Sequence, residues 1–506
     1  MKNAKFIKFI DMAIIIAVIS ALLLSCAENN TSDVTSPTNE QNDSVSADEG
    51  NTATPEEDEN AKPPYDLPEE NFNGYNFTII SRSENANSHW WNLDISAEEE
   101  NGDAINDAVY RRNNFVEEQY NINIVNVSAD NVQSDASRTV RAGDAAYDVV
   151  VIGLNGGQET LATQGMLFDL RNVPHVDLTK PWWDQKAVDQ LSINGRLFST
   201  SSDLTIRDKD ATIILMFSKK LLQENQLEDV YQLVLSGKWT FDKMHEMMKA
   251  TARDLNGDGV INDEDVIGLL TQQGHANALF NAAGEYLAKT DANGMPQITM
   301  YSERAIEITE RIREIQGDKN ISLNADEYGH KYSDVWDGFQ VPMFAADRAL
   351  FYHAGMNRVT LLRTMETDFG IIPPPKYNEI QESYHIWVDS WCTSAVSIPV
   401  TADPERTGLI LEALTYESRY TLLPAYYDIN LKTKFARDDE SKEMIDLILD
   451  NRLYDLGTIY GWGSMRSLFS DLSQGRGELT TWYERNLTRI ETQMQRTIDQ
   501  FDAIEH

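Results

Sequence analysis

A twelve-residue segment carries the residue pattern of a calcium-binding loop. From Asp254 to Asp265 it reads DLNGDGVINDED, with oxygen-bearing side chains at alternating positions and glycine at the sixth, where the turn is sharpest. Calcium prefers oxygen ligands from carboxylates, amides and main-chain carbonyls. The predicted ligands are Asp254, Asn256, Asp258, the carbonyl of Val260, Asn262 and Asp265.

The loop departs from the usual pattern at its last position. Asp265 stands where glutamate is usual, and its shorter side chain is less able to offer both oxygens to the ion, which lowers affinity. Asp, Asn and Gly also favour turns without a metal, so a polar turn between two helices is the alternative. A structural calcium ion is the cofactor predicted here, and no catalytic cofactor is expected.

Cys26 is a candidate for lipid modification. Three lysines precede an uncharged apolar run from Met12 to Leu24, which is shorter than the roughly 20 residues that span a bilayer. The run ends in LLSC, which resembles the bacterial lipobox. Residues 1–25 are therefore predicted to be a signal peptide, and Cys26 to carry diacylglycerol and palmitate. An ordinary secretory signal is the alternative.

Charge and cysteine content argue against a nucleic-acid-binding protein and against a fold held by disulfides. The chain has 43 basic and 81 acidic side chains, a formal net charge of −38, which repels nucleic acid. Its second cysteine, Cys392, has no partner for a disulfide once Cys26 is lipidated. Residues 26–70 begin with a polar, acidic stretch that has almost nothing to bury, and they are predicted to be a disordered tether.

Alternating and continuous apolar runs predict an open α/β sheet. Strands are expected at residues 75–80, 121–127 and 147–153, with helices at 103–119 and 132–142 between them. This β-α-β-α-β series implies parallel strands, with ligand loops after Ile80 and Ile152. In the first helix, Arg111 and Arg112 are predicted to face solvent. The last hundred residues are predicted to be mostly helical.

Several short segments, in order along the chain, resemble the extracellular solute-binding proteins of ABC importers, in the carbohydrate-binding group that includes maltose-binding protein. The segments are YDVVV (147–151), GMLFDL (165–170), PWWD (181–184), NGRLF (194–198), FSKKLL (217–222), GKWTFD (237–242), FAADRA (344–349) and YYD (426–428). The resemblance implies a type II periplasmic-binding-protein fold, with two α/β lobes joined by a hinge of crossing strands.

The resemblance also implies a division of the chain. Lobe 1 is predicted to comprise residues 71–206 and 350–398, and lobe 2 residues 207–349 and 399–506, with the hinge crossings near residues 207–211, 349–352 and 398. The chain is expected to be an extracytoplasmic monomer, anchored to the bacterial cell membrane through its lipid. Its expected partners are a small solute and the permease subunits of an ABC transporter.

Residues near predicted strand ends and crossings are candidates for binding the solute. Sugars present apolar C–H faces and hydroxyl rims, which suit aromatic side chains flanked by carboxylates and amides. The candidates are Trp90, Trp91, Asn155, Asp210, His353, Asp389, Trp391 and Trp462. Packing in the core is the alternative role for each of them, and for Trp182 and Trp183 it is the preferred one.

No enzyme motif is evident in the sequence. It contains no Gly-x-Ser-x-Gly elbow, His-Glu-x-x-His pair, P-loop or glycine-rich dinucleotide turn. A non-enzymatic protein that delivers a mono- or oligosaccharide to an ABC transporter by hinge closure is therefore the preferred interpretation. A membrane-anchored polysaccharide-degrading enzyme is the alternative, because a pair of carboxylates suited to glycoside hydrolysis can be formed by distant residues.

Overall fold

The computed structural model describes residues 62–86, 89–427 and 439–505. The predicted signal peptide, Cys26 and residues 26–61 of the predicted tether lie outside the described residues. Residues Lys62–His506 form one compact unit.

A four-stranded sheet begins the fold. It contains β1 (Tyr75–Arg82), β2 (Ile122–Ala129), β3 (Val149–Ile152) and β12 (Ala395–Ser397), in the order β12-β3-β1-β2. β1 pairs in parallel with both β2 and β3, whereas β12 is antiparallel to β3. All four residues of β3 are buried, as expected for a β-branched run between two covered faces. The predicted β-α-β-α-β series is confirmed.

A second sheet has five strands in the order β10-β4-β9-β5-β8. They are β4 (Ile213–Ser218), β5 (Ile267–Thr271), β8 (Ser322–Asn324), β9 (Ala349–Gly355) and β10 (Phe369–Ile372). β5 is parallel to its neighbours β8 and β9, whereas β4 is antiparallel to β9 and β10. The short strands β6 (Ala288–Thr290) with β7 (Pro296–Ile298) and β11 (Ile386–Trp387) with β13 (Arg452–Leu453) form two-stranded pairs.

Helices surround both sheets. In chain order they are α1 (Ala104–Tyr120), α2 (Val132–Ala142), α3 (Glu159–Thr163), α4 (Gln185–Gln190), α5 (Arg207–Asp210), α6 (Lys219–Glu224), α7 (Val230–Leu235), α8 (Phe241–Thr251), α9 (His275–Ala282), α10 (Glu303–Gln316), α11 (Val341–Ala345), α12 (Arg358–Leu361), α13 (Pro404–Tyr420), α14 (Leu422–Pro424), α15 (Asp439–Asp450), α16 (Leu456–Tyr460), α17 (Leu468–Leu472) and α18 (Leu479–Asp502). The described part of the last hundred residues is mostly helical, as predicted. Among the described helices, none combines the length and apolarity needed to cross a bilayer.

Arg112 corrects one expectation for α1. The side chain was expected at the surface, yet it is fully buried. Its guanidinium donates to the carbonyls of Asp94, Ile95 and Leu204 at 2.9–3.0 Å. A helical position that looks polar can thus face inwards when buried carbonyl groups accept its hydrogen bonds. Phe115 on the same helix is 47% exposed although its side chain is apolar.

Sheet membership differs from the predicted lobe boundaries. β9 and β10, which those boundaries assign to lobe 1, hydrogen bond within the five-stranded sheet together with β4 of lobe 2. Conversely, α13, assigned to lobe 2, packs against α1. Strands pair by hydrogen-bond register rather than by chain order, so sheet membership is the better guide to the two lobes. Division of the chain into lobes stays a prediction, amended in these segments.

Residues 62–67, the end of the predicted tether, contact the folded body. The Tyr65 hydroxyl donates to the Glu412 carboxylate at 2.8 Å, and Lys62 pairs with Glu417 at 2.5 Å. The indole N–H groups of Trp182 and Trp183 donate to the same Glu412 at 2.9 and 3.0 Å. Both tryptophans are buried, in agreement with the core role preferred for them.

Candidate functional site

Two adjacent cavities share the side chains of His89, Asn357 and Arg358. The Trp90 cavity has a volume of about 240 Å³ and is also lined by Gln272, His275, Trp336, Asp389, Trp391 and Cys392. The Trp91 cavity has a volume of about 320 Å³ and is also lined by Arg207, Asp210, Asp337, Leu361 and Tyr426. Together they make a cleft with aromatic, polar and charged walls.

Both sheets contribute loops to this cleft. His89, Trp90 and Trp91 belong to the loop that follows β1 of the four-stranded sheet. His275 follows β5, and Asn357 and Arg358 follow β9, in the five-stranded sheet. Each of these loops leaves the carboxyl end of its strand, where ligands bind in open α/β sheets. The cavities therefore lie at the position where this class of fold usually binds a ligand.

Three tryptophans from separate chain segments line the Trp90 cavity. Trp336 is 41% exposed and Trp391 46% exposed, whereas Trp90 is buried. Exposed indole surface at a cavity is available to the apolar face of a ligand. Gly355 permits the close packing here, because a Cβ at that position would lie 2.9 Å from Asn357 Oδ1 and 3.3 Å from the Trp90 ring.

A charged cluster joins the two sheets at the shared wall. His89 Nδ1 lies 2.9 Å from Asp337, and its Nε2 lies 3.9 Å from Asp334. Asp337 also pairs with Arg358 at 3.1 Å. Asp334 and Asp337 belong to the connection between β8 and β9, so this cluster links the loop after β1 to the second sheet. In the described part of the chain, one group of three side chains brings potential metal-ligand atoms within 4.8 Å of one another: His89, Asp334 and Asp337.

Arg82, the last residue of β1, holds the loop that carries Trp391. Its guanidinium donates to the carbonyls of Trp391, Cys392 and Thr393 at 2.9–3.0 Å. Asp389 in the same loop accepts hydrogen bonds from the backbone N–H groups of Trp391 and Cys392. Burial lowers the pKa of Arg82 to about 10 and raises the pKa of Asp389. Cleft shape at Trp391 thus depends on a buried arginine in the sheet.

Asp210, which lines the Trp91 cavity, is already paired. Arg207 contacts it at 2.8 Å, and the Tyr426 hydroxyl donates to it at 2.9 Å. Burial raises the pKa of Asp210 although Arg207 opposes the shift. The neighbouring Lys209 is buried between Asp203 and Asp208, at 3.0 and 3.1 Å. Helix α5 is therefore a compact set of buried ion pairs beside the cleft.

Five of the eight predicted binding residues line the cleft. Trp90, Asp389 and Trp391 lie in the Trp90 cavity, and Trp91 and Asp210 in the Trp91 cavity. Their contact with a solute stays a prediction.

The other three predicted binding residues lie outside the walls of the two cavities. Asn155 donates to Ser390 Oγ at 2.8 Å and so supports the Asp389 loop from behind. His353 is fully buried with its ring 4.8 Å from that of His275. Trp462 is buried against Tyr460 and donates to Thr497 at 3.0 Å. We assign Trp462 a packing role, because its indole is enclosed by the C-terminal helices.

The predicted calcium loop lies between α8 and β5, rather than between two helices. Asp254 accepts hydrogen bonds from the N–H groups of Gly257 and Gly259 at 2.7 and 2.8 Å, and these bonds lower its pKa. Asp265 is buried and accepts from Leu255 and Asn262 at 2.9 Å. The loop is closed by its own backbone donors, and calcium binding stays a prediction.

Several residues that line the cleft were missed by sequence reasoning: His89, Gln272, His275, Trp336, Asp337, Asn357 and Arg358. Arg82, which holds the Trp391 loop, was missed as well. A signal existed for Asn357 and Arg358, since they follow the strand at residues 349–352 that was expected from sequence. His275 follows β5, a strand that was not predicted, so nothing placed it near a ligand loop.

Comparisons with known proteins identify the fold. No protein-family model matches the sequence, and no curated protein sequence matches it. Solved structures do match. A cyclo/maltodextrin-binding protein in complex with maltotetraose aligns with a TM-score of 0.53 and 15% identity, covering 84% of this chain and 97% of that one. UgpB from Mycobacterium tuberculosis in complex with glycerophosphocholine gives 0.53 and 14%, covering 77% and 95%.

A third match is an ABC transporter solute-binding protein from Thermotoga lettingae bound with α-D-tagatose. It aligns with a TM-score of 0.51 and 14% identity, covering 84% of this chain and 100% of that one. These proteins take different solutes, so the likeness concerns architecture. This chain has the type II periplasmic-binding-protein fold.

Proposed function

We propose that this protein is a solute-binding protein that captures a mono- or oligosaccharide and delivers it to an ABC transporter. The observation that supports this most is the Trp90 cavity, where Trp336 and Trp391 expose indole surface beside polar side chains. Pyranose rings have apolar C–H faces that stack on indoles and hydroxyl rims that need polar partners. The cavity offers both kinds of surface in one place.

The cleft is suited to binding rather than to hydrolysis. Asp210 is paired with Arg207, and Asp337 with Arg358. A glycosidase needs one carboxylic acid as proton donor and a second carboxylate as base or nucleophile, both facing the bond that breaks. Both of these carboxylates are already engaged by arginines within the fold, so neither is free to face a glycosidic bond. Enclosure of the solute by two sheets and release on opening is the mechanism proposed instead.

We further propose that the protein works outside the cytoplasm, held to the cell membrane through lipid on Cys26. The lipobox-like sequence LLSC supports the anchor, and the acidic stretch that follows supports a tether. A permease in the same membrane would then receive the solute. Globomycin treatment of cells that express the full chain tests the anchor, since it blocks removal of lipoprotein signal peptides and leaves a larger precursor.

Calorimetric titration of the chain from residue 27 onwards tests solute binding. The panel is glucose, tagatose, maltose, maltotetraose and glycerophosphocholine. We expect a sugar to bind and to be recovered unchanged, and Trp336→Ala and Trp391→Ala each to weaken it at least tenfold. Trp482→Ala is the matched control, because Trp482 lies on α18 and lines neither cavity. Binding of glycerophosphocholine alone, or cleavage of a sugar, would refute the proposal.

A further inference from the structure

The Trp90 cavity contains a histidine whose second ring nitrogen has no partner in the described chain. His275 is 6% exposed, and its ring hydrogen bonds to the backbone of His353. Because Nδ1 has no hydrogen-bond partner, the bond to His353 is made by Nε2, which donates to the carbonyl. This contact favours the tautomer in which Nε2 carries the proton and Nδ1 the lone pair.

Burial keeps this imidazole neutral. It lowers the pKa of His275 to about 4, and nearby Arg358 acts in the same direction. His353, which packs against His275 at a ring distance of 4.8 Å, has its pKa lowered by burial as well. A neutral ring with Nε2 as the donor leaves Nδ1 as an acceptor. Buried acceptors are nearly always satisfied in proteins, by the chain, by water or by a ligand.

Asn357 supplies a second acceptor in the same cavity. Its Oδ1 is buried and has no hydrogen-bond partner in the described chain. The residue is held by its backbone, whose N–H donates to the Asp210 carbonyl at 3.2 Å and whose carbonyl accepts from the Thr360 hydroxyl at 2.8 Å. Two residues from different loops thus line one cavity, and each has a buried acceptor atom that calls for a donor from outside the described chain.

Arg358 and Asp389, charged side chains that line the Trp90 cavity, already have partners, which bears on the ligand's charge. Arg358 pairs with Asp337 at 3.1 Å, and Arg207 pairs with Asp210 at 2.8 Å. Asp389 accepts two backbone N–H groups. A carboxylate or ammonium group on the ligand would have to break one of these arrangements to gain a partner, and a desolvated charge without one is costly. A neutral ligand with hydroxyl donors has no such cost.

We propose that His275 and Asn357 are specificity-determining residues, which accept hydrogen bonds from two hydroxyl groups of one neutral sugar ring in the Trp90 cavity. The inference rests on the proposed sugar-binding function and goes further by naming the residues and the charge class. A ring that lacks either hydroxyl leaves an acceptor unpaired, and sites that hydrogen bond a hydroxyl reject analogues without it. Tryptophan stacking alone would tolerate such analogues.

Titrations with a matched panel test this inference. The ligands are glucose, galactose, xylose, maltose and cellobiose, with glucuronate and glucosamine as charged analogues of glucose. For sugars that bind, we expect His275→Leu and Asn357→Leu each to weaken binding at least tenfold. His275→Gln keeps an acceptor oxygen and should stay within about threefold of the wild type. Neither charged analogue should bind as tightly as a neutral sugar that binds.

The outcomes separate this inference from the proposed function. If no sugar binds the wild type, both fall. If a sugar binds and both leucine variants bind it equally well, only the roles of His275 and Asn357 are overturned; preferred binding of glucuronate or glucosamine overturns the charge class. Should the leucine variants fail to fold, the ¹⁵N spectrum of the wild-type imidazoles decides, with His275→Gln giving the assignment. The sugar must then shift the Nδ1 resonance of His275, and an unchanged resonance refutes the proposal.

Discussion

Glu412 provides a quantitative prediction, because one buried carboxylate joins the start of the described chain to the core. Its side chain is fully buried and accepts hydrogen bonds from Tyr65, Trp182 and Trp183. Burial raises its pKa from 4.5 to about 7, although these donors oppose the shift. Ionised Glu412 is therefore less stable in the folded state than in the unfolded chain, where water surrounds it.

The sign and size of the pH dependence follow from linkage. Between pH 4.5 and 7 the folded state holds a proton on Glu412 that the unfolded chain has released, so stability falls as pH rises through this window. Each unit of pKa difference is worth about 1.4 kcal/mol, so the full window amounts to about 3 kcal/mol. For a body of this size, the unfolding entropy of about 0.9 kcal/mol per kelvin converts this to about 3 °C in Tm.

Glu412→Gln removes the titration and nearly preserves the shape. We expect the variant to match the wild type near pH 4.5 and to melt about 3 °C higher above pH 7.5, as measured by thermal unfolding across pH. Taking the difference between the two curves cancels the titration of all other groups. Glu118→Gln on the exposed side of α1 is the matched control and should give a flat difference. A Tm difference between Glu412→Gln and the wild type that does not change with pH would contradict the raised pKa of Glu412 in the folded state.

Three other predictions concern the cleft and the loops near it. Lys209→Met removes the cation that Asp203 and Asp208 share, while Arg419 and Arg452 remain as their partners. An uncompensated buried charge costs about 3–5 kcal/mol, so thermal unfolding should show Tm lowered, but by less than about 5 °C. Arg82→Met leaves the carbonyls of the Trp391 loop without their donor, and calorimetry should show sugar affinity lowered about tenfold, with an unchanged Kd contradicting the positioning role. Calcium at a hundredfold excess over its Kd should raise Tm by about 3 °C, an effect that EGTA reverses and Asp254→Ala abolishes, whereas equal melts in calcium and EGTA would favour the metal-free turn.

Elements with strong local patterns could be predicted from the sequence. β3 is a continuous β-branched run, which is typical of a strand buried on both faces of a sheet. It lies within the segment expected for it. α2 begins after Asn131 and ends before Gly143, residues that cap helices, and its predicted bounds agree with the structure. Arg112 shows the limit of such patterns, because its burial depends on carbonyls that lie far away in the chain.

Some candidate site residues could likewise be placed from local sequence patterns, whereas others depend on the order of strands in the sheets. Four candidates lie near strands that the sequence predicts, so their position at a sheet edge could be predicted: Trp90, Trp91, Asp389 and Trp391. Trp336 lies in the connection between β8 and β9, and only the order of the second sheet brings it to the cleft. β5 is a short apolar run like others in the chain, and β8 has a single apolar residue, so neither has a distinctive pattern. Strand order is a long-range property, which local patterning does not determine.

The distribution of the cleft over the chain explains why both sheets matter for the chemistry. Trp90 and His89 come from the first sheet, whereas Trp336, Asn357 and Arg358 come from the second. His89 contacts Asp337 directly, so part of the energy that brings the sheets together exists without ligand. In the proposed mechanism, a solute that touches Trp90, Trp336 and Asn357 adds contacts that only the closed arrangement offers, and a ligand shifts such an equilibrium by its differential affinity alone. In the proposed mechanism the measured solute affinity includes the free energy of closing the cleft, so substitution of Asp334, which lines neither cavity, should change solute affinity without contacting the solute.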